Sequence, residues 1–177
     1  TLNRFCRTTR PDEPGLSRSG DLNVRVALIR RFLSERLSFI RIAKEYMAIH
    51  DFGRILSHVL GPAQGTGKLG GKAAGLILAE HVLRKEARGV PLIEGFRVPQ
   101  TFLITSDGVV DFIHYNFLDD LLGFKFSSIE EIRHNFPYIE QVFKHAFFSP
   151  EIVSQLKVAL DELGDGPLIV RSSSLLE

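Results

Sequence analysis

The chain has 177 residues, enough for one domain with a sizeable core, and at 44% hydrophobic and 24% charged it has the composition of a folded protein. A formal net charge of +1 excludes a broadly basic nucleic-acid surface and an acidic tail. Cys6 is the only cysteine, which excludes an internal disulfide, and no apolar run approaches membrane-spanning length.

Residues 1–20 are rich in Arg, Ser, Thr, Pro and Gly and predict a flexible lead-in. They lack the apolar stretch of a secretory signal and an initiator Met, so a cytoplasmic piece of a longer product is expected. Over 22–48, Val26, Ile29, Phe32, Leu33, Leu37, Ile40 and Met47 recur at steps of three and four, which predicts one long amphipathic helix. A shorter helix is predicted over 51–60, ended by Gly61-Pro62. After a glycine-rich loop, 72–87 reads as another helix, stopping at Gly89.

Phe102 to Thr105 has the apolar, β-favouring character of a strand, and Pro99 suits its beginning. Helical periodicity resumes over 106–121, with Ser106 or Asp107 as the cap. Ser128 and Glu131 form a capping-box pair for a short helix ending near Pro137. Ser149-Pro150-Glu151 opens a helix that runs to about Leu163. Gly164-Asp165-Gly166 then turns the chain into "PLIVRSSS", a predicted strand. The aromatic-rich stretch 112–126 is expected to pack in the core, as one share of the chain's fourteen phenylalanines. The pattern is α+β and helix-rich, with a lead-in (1–20), an amino-terminal helical segment (21–60) and a second unit over 61–177.

The loop "GTGKLGGKAAGL" (65–76) concentrates five glycines and two lysines. It is not a P-loop. Pro62 and Thr66 stand where the first glycine is needed for Lys68 and Lys72, and Leu69 and Ala73 replace the Ser/Thr that would hold magnesium. Gly65, Gly67 and Gly70 do match G-x-G-x-x-G, but the residues before them read as helix and not as the strand that a dinucleotide fold requires, and no protein-kinase motif follows. What remains is Gly70, Gly71 and Lys72 at a helix start. There, backbone N–H groups, the helix dipole and a flexible cation suit an anion. The same residues also suit a plain helix corner with a solvated lysine. The histidines (His50, His58, His81, His114, His134 and His145) are scattered and form no metal set.

Three segments in order, "GGKAAGL" (70–76), "RVPQTFLIT" (97–105) and "ALDELGDGPLIVRSSSLLE" (159–177), resemble the amino-terminal ATP-binding region of the pyruvate phosphate dikinase and phosphoenolpyruvate synthase family. The resemblance covers about residues 50–177. Thr101, Gly75 and Ser174 depart from the family's commoner glycine, asparagine and alanine, and Glu177 keeps its acidic residue. The resemblance implies the helix-rich first part of an ATP-grasp-like module that binds ATP with Mg2+. In that family a phosphoryl group passes through a histidine on a separate domain to pyruvate, and relatives act on other acceptors or only bind nucleotide. By this resemblance Lys72 and Arg171 contact the ATP phosphates beside Gly70 and Gly71, and Lys68 is solvated. The chain alone is then expected not to turn over, and neither nucleic acid nor membrane is an expected partner. Taken without the resemblance, Arg171 also suits a strand-end ion pair, and Ser172 and Ser173 suit either hydrogen-bond donors to phosphate or a turn.

Overall fold

The stretch predicted as one helix over 22–48 is two helices in the computed structural model, which describes residues 18–62, 65–86 and 97–173. Helix α1 (Arg18–Phe32) and helix α2 (Leu37–Tyr46) are separated by a short turn. In it the Ser34 N–H returns to the Ile29 carbonyl at 3.0 Å, and the Arg36 N–H donates to Ser34 Oγ at 3.2 Å. Apolar periodicity runs on both sides of this turn, so the pattern alone does not mark it. The break lets Ile29, Phe32 and Leu33 share one core with Ile40, Ala43 and Met47. Of the predicted lead-in, residues 18–20 are already helical, and 1–17 lie outside the described residues.

Helix α3 (Ile49–Ser57) begins where the Asp51 carboxylate accepts from the Ala48 N–H at 2.7 Å. Val59–Leu60, predicted as the end of this helix, instead form strand β1. Helix α4 (Gly71–Glu86) follows within a residue of expectation. Strand β2 (Leu103–Ile104) lies parallel to β1, in the register Val59 to Leu103 and Leu60 to Ile104. The Leu103 N–H donates to the His58 carbonyl at 2.9 Å, and the Thr105 N–H to the Leu60 carbonyl at 3.1 Å.

Helix α5 (Asp107–Tyr115) is shorter than the predicted 106–121, and a 3-10 segment over Asp119–Phe126 succeeds it. Helix α6 (Ile129–His145) has the predicted capping box. Glu131 Oε2 accepts from the Ser128 N–H at 2.9 Å, and Ser128 Oγ accepts from the Glu131 N–H at 3.3 Å. It does not end near Pro137 but runs through it. Helix α7 (Pro150–Leu163) is capped by Ser149, and Gly164 at φ +72° closes it with an N–H bond to the Leu160 carbonyl at 3.1 Å.

The predicted strand after α7 is absent over the described residues 167–173, and Ile169 and Val170 are 88% and 96% exposed. A strand needs a ladder partner, and among the described residues none lies beside it. The architecture is thus helix-rich with a two-stranded parallel sheet, compatible with an α+β class.

The main core draws on both sides of residue 60. Residues of α1, α2 and α3 pack with Leu69, Ala74 and Ile77, and Phe52 is fully buried. The aromatic stretch 112–126 does not join it. Among these residues only Ile113 is buried, whereas Phe117 and Phe126 are 91% and 83% exposed. Phe112 instead packs locally on Phe143 and Phe148, with ring centroids 5.6 and 5.3 Å away. Among the described residues no helix is long and apolar enough to cross a membrane.

Candidate functional site

The glycine loop divides into two parts with different neighbours. Its front part, Gly65 to Leu69, closes around a protein carboxylate. Asp107, at the start of α5, accepts from the Gly67 N–H at 2.8 Å through Oδ2 and from the Thr105 hydroxyl through Oδ1. A Cβ at Gly65 or Gly67 would collide with that carboxylate, which is the physical demand for glycine at both positions. Ser106 accepts from the Lys68 N–H at 3.1 Å through Oγ, and its own N–H donates to the Lys68 carbonyl at 3.0 Å. The residues predicted to cap α5 therefore also hold the loop, and Ser106 makes no capping bond to its helix.

The other wall of the loop is α1. Arg31 donates to the carbonyls of Thr66 and Gly67 at 2.8 and 3.2 Å, and the Leu69 N–H donates to the Phe32 carbonyl at 2.9 Å. Lys68 is not simply solvated. Its ammonium sits 2.5 Å from Glu35, a partly exposed pair. The hydrogen bond and the charge of Lys68 hold the Glu35 carboxyl below its ordinary range.

The rear part, Gly70 to Lys72, opens α4. Gly70 is buried and supplies no capping side chain. The acceptor comes from a hundred positions away. Ser173 Oγ accepts from the Ala73 N–H at 3.1 Å. A Cβ at Gly70 would collide with both the carbonyl and the hydroxyl of Ser173, so glycine is what allows the two segments to touch. Lys72 adjoins Ala73, and Arg171 lies two residues before Ser173; both side chains are exposed. The structure thus brings the GGK and VRSS segments together at the first turn of a sixteen-residue helix.

The contacts that Ser173 and Asp107 make with Ala73 and Gly67 are what sequence reasoning missed. Each carried a local signal of another kind, a turn or a phosphate donor for the serine and a helix cap for the aspartate. Nothing in the local pattern shows that their acceptors turn toward a distant loop.

Two cavities lie away from Lys72 and Arg171. One of about 320 Å³ lies between α3, α4 and the segment 98–103, lined by Arg54, His58, His81 and Thr101 among others. One of about 160 Å³ lies behind the loop, against Arg31, Gly67 and Asp107. Neither includes Lys72 or Arg171. His81 is buried, with Nδ1 2.8 Å from the Ile77 carbonyl and Nε2 3.4 Å from the Asp51 carboxylate. Among the described residues no three His, Cys, Asp or Glu side chains gather as a metal set.

Comparison with curated proteins and with solved structures gives no significant match. A family model described as the pyruvate phosphate dikinase AMP/ATP-binding domain matches residues 66–177. That span holds the glycine loop from Thr66, α4, the 105–107 junction and the Arg171 to Ser173 segment. With more than half of its length matched, the chain belongs to the family of the pyruvate phosphate dikinase AMP/ATP-binding domain.

Proposed function

We propose that the chain is the ATP-binding portion of a phosphotransferase resembling phosphoenolpyruvate synthase and pyruvate phosphate dikinase. Lys72 and Arg171 take the polyphosphate at the start of α4, beside Gly70 and Gly71. Phosphate then travels through a phosphohistidine outside this chain to pyruvate. The observation that supports this most is the contact between Ser173 and Ala73, because it joins the two segments to which the resemblance assigns the ATP phosphates. The donor set fits a polyphosphate. N–H groups at a helix start, a lysine and a forked arginine supply the positioning and charge that phosphoryl transfer needs.

The described residues offer no comparable fit for Mg2+, since no acidic cluster is present among them. No step is therefore assigned to the metal here. An ATP-grasp-like completion of the fold belongs to the same proposal.

The test begins with equilibrium binding of MgATP to the chain and to its Lys72→Ala and Arg171→Ala variants. Binding that both substitutions weaken supports the site, and binding indifferent to both overturns it. The acceptor is tested in the intact protein, by following AMP and phosphoenolpyruvate from ATP and pyruvate. Nucleotide consumption without phosphoenolpyruvate would rule out the pyruvate step.

A further inference from the structure

We propose that Asp107 is a positioning residue for the nucleotide site. Its carboxylate fixes the glycine loop and, through it, the first turn of α4 in the form that receives polyphosphate. The inference rests on the reading that Lys72 binds phosphate.

A segment with this much glycine has a wide choice of backbone conformations and no side chains to restrict it. Here the restriction is supplied from outside. Both oxygens of the Asp107 carboxylate accept hydrogen bonds, one from the Gly67 N–H at 2.8 Å and one from the Thr105 hydroxyl. A bond to an ionised acceptor is stronger than a neutral one, and a partly buried setting raises its value. Ser106 adds two backbone-directed bonds to Lys68, at 3.0 and 3.1 Å. Gly67 and Lys68 are thus tied to the β2–α5 junction by three bonds to Ser106 and Asp107.

On the far side, Arg31 and the Phe32 carbonyl hold Thr66, Gly67 and Leu69 against α1. Leu69 is itself anchored in the core at 2% exposure. Only Gly70 separates Leu69 from the first residue of α4. The loop is therefore clamped between two elements immediately before the helix turn that carries Lys72.

The arrangement also separates two anions. The Gly67 and Lys68 N–H groups are occupied by protein acceptors, so the loop's front part does not offer them to phosphate. Asp107 uses that front part, and polyphosphate uses the helix start. Positioning of this kind is worth a large factor, because small misplacements of a binding group are costly.

The experiment compares the chain with its Asp107→Ala, Asp107→Asn and Ser106→Ala variants, with Lys72→Ala as the control for the site. Circular dichroism checks that each is folded. Two quantities are read, amide hydrogen exchange at residues 65–70 and equilibrium affinity for MgATP. Asp107→Ala is expected to speed exchange at Gly67 and Lys68 and to weaken MgATP by about tenfold. Asp107→Asn keeps an acceptor for the Gly67 N–H and is expected to recover most of both. Ser106→Ala, which removes one clamp bond and leaves the carboxylate, keeps the test open if Asp107→Ala does not fold; it is expected to shift both readouts in the same direction by less. If MgATP binds the unaltered chain and Lys72→Ala weakens it, but the clamp variants do not, the positioning role is overturned and the phosphate site stands. If the unaltered chain does not bind MgATP, or Lys72→Ala has no effect, the phosphate reading fails and the positioning role fails with it.

Discussion

Lys68 and Lys72 stand four positions apart in one loop, and the proposed site gives them different work. Lys68 pairs with Glu35 at 2.5 Å, and Lys72 lies at the turn that Ser173 touches. Lys72→Ala is expected to weaken MgATP by roughly ten- to a hundredfold, the loss of one charge-assisted bond. Lys68→Ala should change it by no more than about twofold, a spread that a direct titration resolves. The Glu35 pair has its own signature in pH. Its folded carboxyl is held below the ordinary value of 4.5 by Lys68, so the stabilisation is complete above 4.5 and is lost as pH falls through the lowered value. Glu35→Gln should therefore lower the melting temperature slightly at neutral pH, and the difference should shrink below pH 4.5. A constant difference down to strong acid would mean that the ion pair is not its cause. Gly70 gives the sharpest residue-level test of the site. Any Cβ there meets the backbone of Ser173, so Gly70→Ala should release the segment 171–173 from α4 and weaken MgATP, while Gly75→Ala, with open space around it, should do neither.

At the scale of elements, α6 is a helix kept in spite of its sequence. Pro137 removes one ladder hydrogen bond and crowds the preceding turn, yet the helix continues from Ile129 to His145. Pro137→Ala should stabilise α6 by roughly 1–3 kcal/mol, seen as slower amide exchange over its second half. Ser128→Ala should cost it about 1 kcal/mol by removing the capping box. The same helix shows what was legible beforehand. Its start was readable because a capping box is chemistry confined to four residues. Its end was not, because a proline lowers the odds of a helix without forbidding one. The split of α1 from α2 was hidden for a related reason. Apolar steps of three and four persist across Leu33 to Leu37, and only tertiary burial decides that the chain turns there. Over 167–173 the error ran the other way. β-favouring residues predict a strand there, but a strand exists only where an edge receives it. Within the site, Gly70 to Lys72 could be singled out because glycine pairs before a lysine are chemically unusual. The contacts of Ser173 and Asp107 could not be read, because they depend on which distant amide each side chain reaches.

For the whole molecule, burial is unevenly shared, and stability should follow it. Among the described residues, most large buried side chains lie between Ile29 and Ile77, in α1 to α4 and the segments that join them. The later elements add Ile113, Ile152 and Ala159, pack Leu103 against the main core, and also attach through polar contacts. Gln155 reaches from α7 to Gly61, donating to its carbonyl and accepting from its N–H, both at 2.9 Å. Ser149 donates to Asp111 at 2.6 Å, and Asn116 bonds to both backbone groups of Phe147. Such bonds specify placement but contribute only modestly to stability, since each replaces a bond to water. Removing a fully buried aromatic side chain, by contrast, loses its transfer energy and leaves a cavity. Phe52→Ala should therefore destabilise the chain by about 3–5 kcal/mol in urea unfolding. Phe126→Ser, at a residue 83% exposed, should stay within about 0.5 kcal/mol of the parent. Two substitutions of the same residue type thus separate the two regions. Comparable losses at both positions would mean that Phe126 is covered in solution and that the later elements share the core. The expected inequality would instead make α1 to α4 the rigid base on which the first turn of α4 is held, with the segment carrying Arg171 brought to it by the Ser173 contact and by the weaker packing of α7.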